Sequence, residues 1–95
     1  MDIKVIYTKE FSKIEGIQNG ERVYYNLLFQ NEGEENMVYG IELVSSINGK
    51  LENQIFEGVS DSEETTLNIL RFLYENSVRP YEFVGLVSDI ISSRL

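Results

Sequence analysis

The spacing of the apolar residues changes once along the chain, close to Gly58. Before this point, apolar residues occupy every second position over several segments, which is the spacing of one face of a β-strand. Beyond it, they recur at every third or fourth position, as on one face of an α-helix. Because 95 residues give room for one domain, the pattern predicts a single small α+β domain over residues 1–95. We expect an antiparallel β-meander of three to five strands, followed by two C-terminal helices packed on one face.

The strand pattern is found in four segments, 3–7, 23–30, 37–46 and 50–57. Asn19-Gly20 and Asn48-Gly49 each suit a two-residue hairpin turn, because both residue types tolerate a positive φ. The segment 11–17 is ambiguous between a short helix and a strand that enters a turn.

The alternation also assigns residues to faces of the sheet. Ile3, Val5 and Tyr7 are expected on one face of the first strand. In the last strand, Leu51 and Ile55 are expected in phase with the core and Phe56 on the opposite side. Together with the helical spacing, these phases predict the following largely buried residues: Tyr25, Leu27, Phe29, Tyr39, Ile41, Leu43, Leu70, Leu73, Val87 and Ile90.

Two helices are predicted after Gly58. Ser60 and Glu63 have the spacing of a capping box, so the first helix should begin there and run to about Asn76. Pro80 cannot continue that helix, but it suits the first turn of a second one, with Arg94 favourable near its end. The second helix should carry on one side Phe83, Val84, Val87, Ile90 and Ile91.

The composition excludes several classes of chemistry. The absence of Cys removes disulfides and thiolate nucleophiles, and the absence of His removes the commonest general base. The acidic runs 32–35 and 61–64 do not match a calcium-binding loop. We therefore expect no enzyme, no catalytic residue, no metal site and no cofactor.

The net charge of −8 restricts the partners that the chain could bind. It disfavours direct nucleic-acid binding and anionic membrane surfaces, which both need clustered Lys and Arg. No segment reaches the roughly 20 apolar residues of a membrane span, and Met1 to Lys4 do not resemble the start of a secretory signal. We therefore expect a cytoplasmic protein.

Some apolar residues exceed what one buried face needs. The strand residues concerned lie opposite the main core set, and Phe72 lies off the main stripe of the first helix. Surplus apolar surface of this kind is typical of a protein interface. The candidate interface residues are Tyr24, Leu28, Val38, Val44, Phe56 and Phe72.

These observations favour a non-enzymatic protein-interaction domain that self-associates, as a homodimer. An alternative is an acidic inhibitor or nucleic-acid mimic, of the kind that phages encode, which binds a basic nucleic-acid-binding protein. A second alternative is a small-ligand binder with Tyr24, Tyr25 or Tyr39 in a groove. The acidic residues available for mimicry are Glu34, Glu35, Glu42, Glu52, Glu57, Asp61, Glu63 and Glu64.

Two segments carry a family resemblance. The strand from Val38 to Leu43, with Tyr39-Gly40-Ile41-Glu42 at its centre, precedes Glu75-Asn76-Ser77-Val78-Arg79-Pro80 and an apolar final helix. This order resembles a family of small bacterial proteins of the Firmicutes type, whose function is unknown. The N-terminal third and the Ser92-Ser93 end depart from that pattern. The resemblance implies a single domain and assigns no site.

Overall fold

Four antiparallel strands in chain order form one sheet, and two helices follow, across the part of the chain that the structure describes. The structure is a computed structural model, and it describes residues 1–33 and 35–93. The elements are β1 Asp2–Phe11, β2 Glu21–Asn31, β3 Met37–Ile47, β4 Lys50–Ser60, α1 Glu63–Glu75 and α2 Pro80–Ser92. The predicted meander with two C-terminal helices is confirmed.

The two predicted hairpin turns had different outcomes. Asn48 and Gly49 join β3 to β4, and both have positive φ, as a two-residue hairpin requires. Asn19-Gly20 makes no such turn, because neither residue has a positive φ. Pairing of β1 with β2 ends at Phe11 and Glu21, and the connection between them is closed instead by a backbone bridge between Ile14 and Gln18.

A β-bulge in β1 changes which residues face the helices. The register with β2 shifts between Val5 and Tyr7, so Tyr7 pairs with the buried Tyr25, whereas Val5 pairs with Asn26 on the other face. The prediction that Ile3, Val5 and Tyr7 share a face is therefore wrong. A bulge inserts one extra residue and so reverses the alternation beyond it.

The faces of β4 are the reverse of those predicted. Phe56 pairs with Ile41 and packs against the core, whereas Leu51 and Ile55, which were expected to face the core, lie on the opposite face and are exposed. The placement of Phe56 on the second face was therefore wrong. The strand then bulges at Gly58, whose φ is +64°, and continues to Ser60.

The first helix begins two residues later than predicted. Ser62 is its N-cap, and the Ser62 hydroxyl accepts a 3.2 Å hydrogen bond from the backbone N–H of Thr65. Ser60 is still part of β4, and its hydroxyl accepts from the backbone N–H of Ser62 at 3.0 Å. The capping box at Ser60 and Glu63 was therefore wrong, although the helix itself and its end near Asn76 are confirmed.

The second helix begins at Pro80, as predicted. The backbone N–H of the preceding Arg79 donates to the Glu82 carboxylate at 3.1 Å, which closes the first turn. Phe83 and Val87 are buried and face the sheet. Val84, by contrast, is exposed, and Arg94 lies outside the described residues.

The core lies between the sheet and the two helices. Of the residues predicted to form it, Phe29, Tyr39 and Ile90 are half-buried against the core. The others are buried: Tyr25, Leu27, Ile41, Leu43, Leu70, Leu73 and Val87. Within the described residues, neither helix has the length and apolar character needed to cross a membrane.

Polar and aromatic contacts fix the C-terminal end of α1 on the sheet. The Lys9 ammonium donates to the carbonyl of Tyr74 and, at 3.0 Å, to the hydroxyl of Ser77. The Tyr74 ring stacks on Tyr7, with centroids 4.5 Å apart. Because α1 has no basic residue in its last turn, Lys9 supplies from β1 the positive charge that a helix C-terminus favours.

Candidate interaction surface

The sheet has one face that neither helix covers, which we call the open face. It is formed by alternate residues of the strands, as their pairing shows: Tyr24 pairs with Val44, and Asn26 pairs with Glu42. The core residues and both helices lie on the other side. The apolar side chains of the open face are Ile3, Val5, Tyr24, Leu28, Val38, Val44, Leu51 and Ile55.

Exposure on this face is greatest at the edge strands. Ile3 and Val5 on β1 and Leu51 and Ile55 on β4 are all exposed large hydrophobic residues, with Leu51 at 66%. Leu28, on a central strand, is only 1% exposed. Apolar side chains of the open face therefore occur on all four strands, and those on the two edge strands are the most exposed.

The predicted interface residues are only partly brought together. Tyr24, Leu28, Val38 and Val44 share the open face, as their alternation predicts. Phe56 faces the core, and Phe72 is 44% exposed on α1. The sequence reasoning missed the apolar residues of the edge strands. Ile3 and Val5 were grouped with Tyr7 across the β1 bulge, and Leu51 and Ile55 were assigned to the core face.

A hydrogen-bonded polar cluster lies at the centre of the open face. The Glu42 carboxylate accepts one hydrogen bond from the Asn26 amide and one from the Asn53 amide, each at 3.1 Å. Asn26 is 5% exposed and Glu42 is 8% exposed. Among the described residues, no ion pair includes Glu42, and the Asn26 side-chain oxygen has no hydrogen-bond partner. A buried carboxylate without a cation is energetically costly.

Arg22 is the one basic residue that the described strand pairing places on this face. It pairs with Ser46 on β3, and its guanidinium forms an exposed ion pair with Glu10 of β1. Interactions with the Tyr24 hydroxyl and the Glu10 carboxylate raise the pKa of Arg22 above its ordinary value. The Arg22 side chain is half exposed and lies on the open face next to Tyr24.

Gly40 lies at the end of the open face where β3 pairs with β4 next to the β4 bulge. A Cβ atom at Gly40 would lie 2.7 Å from the Phe56 carbonyl oxygen, so no larger residue fits without movement of the backbone. Leu28 packs over this glycine. Beside them is an open cavity of about 240 Å³, lined in part by Met1, Val38 and Gly58.

A family comparison covers nearly the whole chain. The profile of DUF6514, a family of unknown function, matches residues 3–93. The chain belongs to the DUF6514 family. No curated protein and no solved structure matches it significantly. The match includes the N-terminal third that departed from the resemblance seen in the sequence.

A second cavity of the DUF6514 domain, of about 380 Å³, lies at the start of α2. Two of its charged groups bind each other: Arg79 binds Glu21 at 2.9 Å, and Ser45 donates to the same carboxylate at 2.5 Å. Glu52 also lines this cavity and takes part in none of the ion pairs of the described residues. The Arg79 guanidinium also lies 3.9 Å from the centre of the Phe11 ring. These contacts attach α2 to the sheet.

The tyrosines considered for a small-ligand groove do not meet in the DUF6514 fold. Tyr24 lies on the open face, Tyr25 is buried in the core, and Tyr39 packs against the core. Burial raises the pKa of Tyr25 to about 12. No group of three or more Cys, His, Asp or Glu residues within 1–33 and 35–93 is arranged to hold a metal ion.

The acidic residues considered for nucleic-acid mimicry do not form one row. Glu42 is buried in the open face, Glu52 pairs with Ser45 towards the β3–β4 turn, and Glu34 lies outside the described residues. The remaining ones are in the β2–β3 connection or where β4 meets α1, at the opposite end of the sheet: Glu35, Glu57, Asp61, Glu63 and Glu64.

Proposed function

We propose that this domain is a non-enzymatic protein-interaction domain that self-associates through its open face. The observation that supports this function is an uncovered apolar sheet face in a strongly acidic chain. Apolar patches of this kind mark protein interfaces. Burial of Ile3, Val5, Leu51 and Ile55, which are all exposed in the single chain, would contribute about 25 cal/mol per Å² of apolar area.

The size of the open face suits a stable homodimer. Strands of 10 to 11 residues, about 4.8 Å apart with a rise of about 3.3 Å per residue, give four strands a face of roughly 700 Å². Two copies would bury at most roughly 1,400 Å², since Asn26, Leu28 and Glu42 are already buried in the single chain, and this upper limit lies above the roughly 1,200 Å² at the lower end of specific interfaces.

Charge also favours a second copy at this face. The regularly paired part of the open face has one positive residue, Arg22, and two negative ones, Glu10 and Glu42, whereas the whole chain has a net charge of −8. Two copies repel each other least where their surfaces are nearly neutral. Self-association is therefore less costly at the open face than at the acidic end of the sheet.

The proposal is tested by placing a charge on the open face. Ile55 is 45% exposed on that face, and Ile17 is 79% exposed in the β1–β2 connection. Ile55→Lys should weaken the dimer at least tenfold in sedimentation equilibrium, and the matched control Ile17→Lys should leave it unchanged. Equal effects of the two variants would refute the assignment to this face.

Phe72 remains the candidate for an interface on α1, since it is exposed there. Phe72→Lys separates the two surfaces, because Phe72 is on the helical layer and not on the open face. We expect it to have no effect on self-association. A loss of the dimer in this variant alone would move the interface to α1.

A second candidate function is the acidic inhibitor or nucleic-acid mimic. Glu57, Asp61, Glu63 and Glu64 gather where β4 meets α1, which favours a basic partner there. Neutralisation of Glu63 and Glu64 to Gln distinguishes the candidates, because it would weaken capture of a basic nucleic-acid-binding protein and leave a dimer through the open face intact.

We also propose that the chain is not an enzyme, that it does not bind nucleic acid directly and that it acts in the cytoplasm of a bacterium of the Firmicutes type. The missing His and Cys and the net charge of −8 support the first two statements. The resemblance noted in the sequence supports the source.

A further inference from the structure

The polar cluster of the open face lacks positive charge. Glu42 is nine-tenths buried and is held by two neutral amides, and the Asn26 side-chain oxygen has no partner among the described residues. Carboxylate and amide oxygens accept hydrogen bonds, so the group that completes this cluster must donate them. A guanidinium, with five N–H donors in a planar fork, is well suited to this role.

The register of β2 and β3 places such a group on the same face. Tyr24 pairs with Val44, and this pair lies two residues from Arg22 on one side and two residues from Asn26 on the other. Asn26 in turn pairs with Glu42. Arg22 and the cluster are therefore equidistant, at roughly 7 Å along the strand, from the Tyr24–Val44 pair.

We infer that two copies pack their open faces about a twofold axis that crosses the Tyr24–Val44 pair, so that Arg22 of each copy binds Glu42 of the other. This inference rests on the self-association proposed above. This axis lies parallel to the sheet and perpendicular to the strands. A residue two positions to one side of the axis in one copy therefore lies over the residue two positions to the other side in the other copy. Arg22 of one copy then lies over Asn26 of the other, beside Glu42.

The distances and charges agree with this arrangement. Packed sheets are about 10 Å apart, which the side chains of an arginine and a glutamate can span together. The contact is isologous, because the same two residues form it twice, as in closed dimers. Arg22 gives up only an exposed ion pair with Glu10, and such pairs contribute little.

The test uses charge reversal with a matched control. Arg22→Glu should weaken the dimer at least tenfold in sedimentation equilibrium, because it places two carboxylates opposite each other. Glu10→Gln removes the other partner of Arg22 and should leave the dimer unchanged within about threefold. The double variant Arg22→Glu with Glu42→Arg should recover at least tenfold over Arg22→Glu alone.

The outcomes separate this inference from the proposed function. A wild-type dimer that Arg22→Glu does not weaken would overturn the inference and leave self-association in place. A wild-type chain that is monomeric at every concentration would overturn both this inference and the proposed self-association. If Glu42→Arg prevents folding, judged by circular dichroism, Arg22→Glu and Glu10→Gln decide the matter, since both residues are exposed.

Discussion

The Tyr25 hydroxyl donates a 2.9 Å hydrogen bond to the backbone carbonyl of Val78. Tyr25 is on β2, and Val78 lies in the connection between the two helices. Both residues are buried, and Tyr25 is completely so. This contact therefore joins the middle of the sheet to the connection between α1 and α2.

Stability should fall at high pH because of Tyr25. Burial raises its pKa to about 12, from the ordinary value of 10.0. In this pH range the unfolded chain loses the tyrosine proton before the folded chain does, so the unfolded state binds fewer protons. The contribution is fully present below pH 10 and is lost between pH 10 and about 12, with a limit of about 3 kcal/mol.

The measurement compares urea unfolding of the wild type and Tyr25→Phe at pH 9 and pH 11. The variant should lose about 1 kcal/mol at pH 9, because the Val78 carbonyl loses its partner. The wild type should lose more stability than the variant between the two pH values. Parallel losses in both proteins would contradict the role given to Tyr25.

Truncation of single side chains to alanine should distinguish the buried side of α1 from its exposed side. Leu73 is completely buried, and its neighbour Phe72 is 44% exposed. Leu73→Ala should cost about 2–5 kcal/mol in the free energy of unfolding, because it leaves a cavity. Phe72→Ala, measured in the same thermal or chemical unfolding experiment under monomeric conditions, should cost less. A loss below about 1 kcal/mol for Leu73→Ala would show that the helix face is misassigned.

Two glycine substitutions should have opposite signs. Gly40→Ala would bring a Cβ atom to 2.7 Å from the Phe56 carbonyl oxygen, whereas a Cβ at Gly85 meets no atom within 4 Å. We expect Gly40→Ala to destabilise by about 1–3 kcal/mol, as overpacking does. Gly85→Ala should stabilise α2 by about 0.5–1 kcal/mol. Equal melting temperatures for the two variants would contradict the close contact at Gly40.

The start of α1 can be located by a pair of serine substitutions. The Ser62 hydroxyl caps the backbone N–H of Thr65, and the Ser60 hydroxyl accepts only from the nearby N–H of Ser62. Ser62→Ala should cost about 1 kcal/mol, as the loss of an N-cap does. Ser60→Ala should cost less. The reverse order would restore the capping box that the sequence suggested.

The sequence was most informative where strands are regular. On β2 and β3, residues alternate without interruption, so Tyr25 and Leu43 were assigned correctly to the core and Tyr24 and Val44 to the second face. Asn48-Gly49 marked its hairpin for a reason local to those two residues. The end of α1 could also be predicted, because Pro80 cannot continue a helix.

The errors in assigning faces of the sheet concern the two edge strands. The bulge between Val5 and Tyr7 has no local sequence signal, and Gly58 marks the other without showing the phase of the strand before it. The β1 bulge changes which residues face the core, which is why Tyr7 was grouped with Ile3 and Val5. Phe56 was misplaced because the regularly paired segment 50–56 carries two apolar residues, Leu51 and Ile55, on the open face. The alternation of single strands therefore could not define the edges of the open face.

The polar cluster could not be predicted from the sequence for another reason. Asn26, Glu42 and Asn53 belong to three different strands, and only the pairing register brings them together. Polar residues on a second face are ordinarily solvated, so their types gave no indication of burial. Their contact, and the relation of Arg22 to them, are consequences of tertiary structure.

The central claim, self-association through the open face, is tested most directly by sedimentation equilibrium of the wild-type chain over a range of micromolar concentrations. A monomer has a mass of 11.0 kDa. The account predicts that the average mass rises with concentration towards twice that value, and that Ile55→Lys shifts this rise to higher concentration. A mass near 11.0 kDa at every concentration would contradict it.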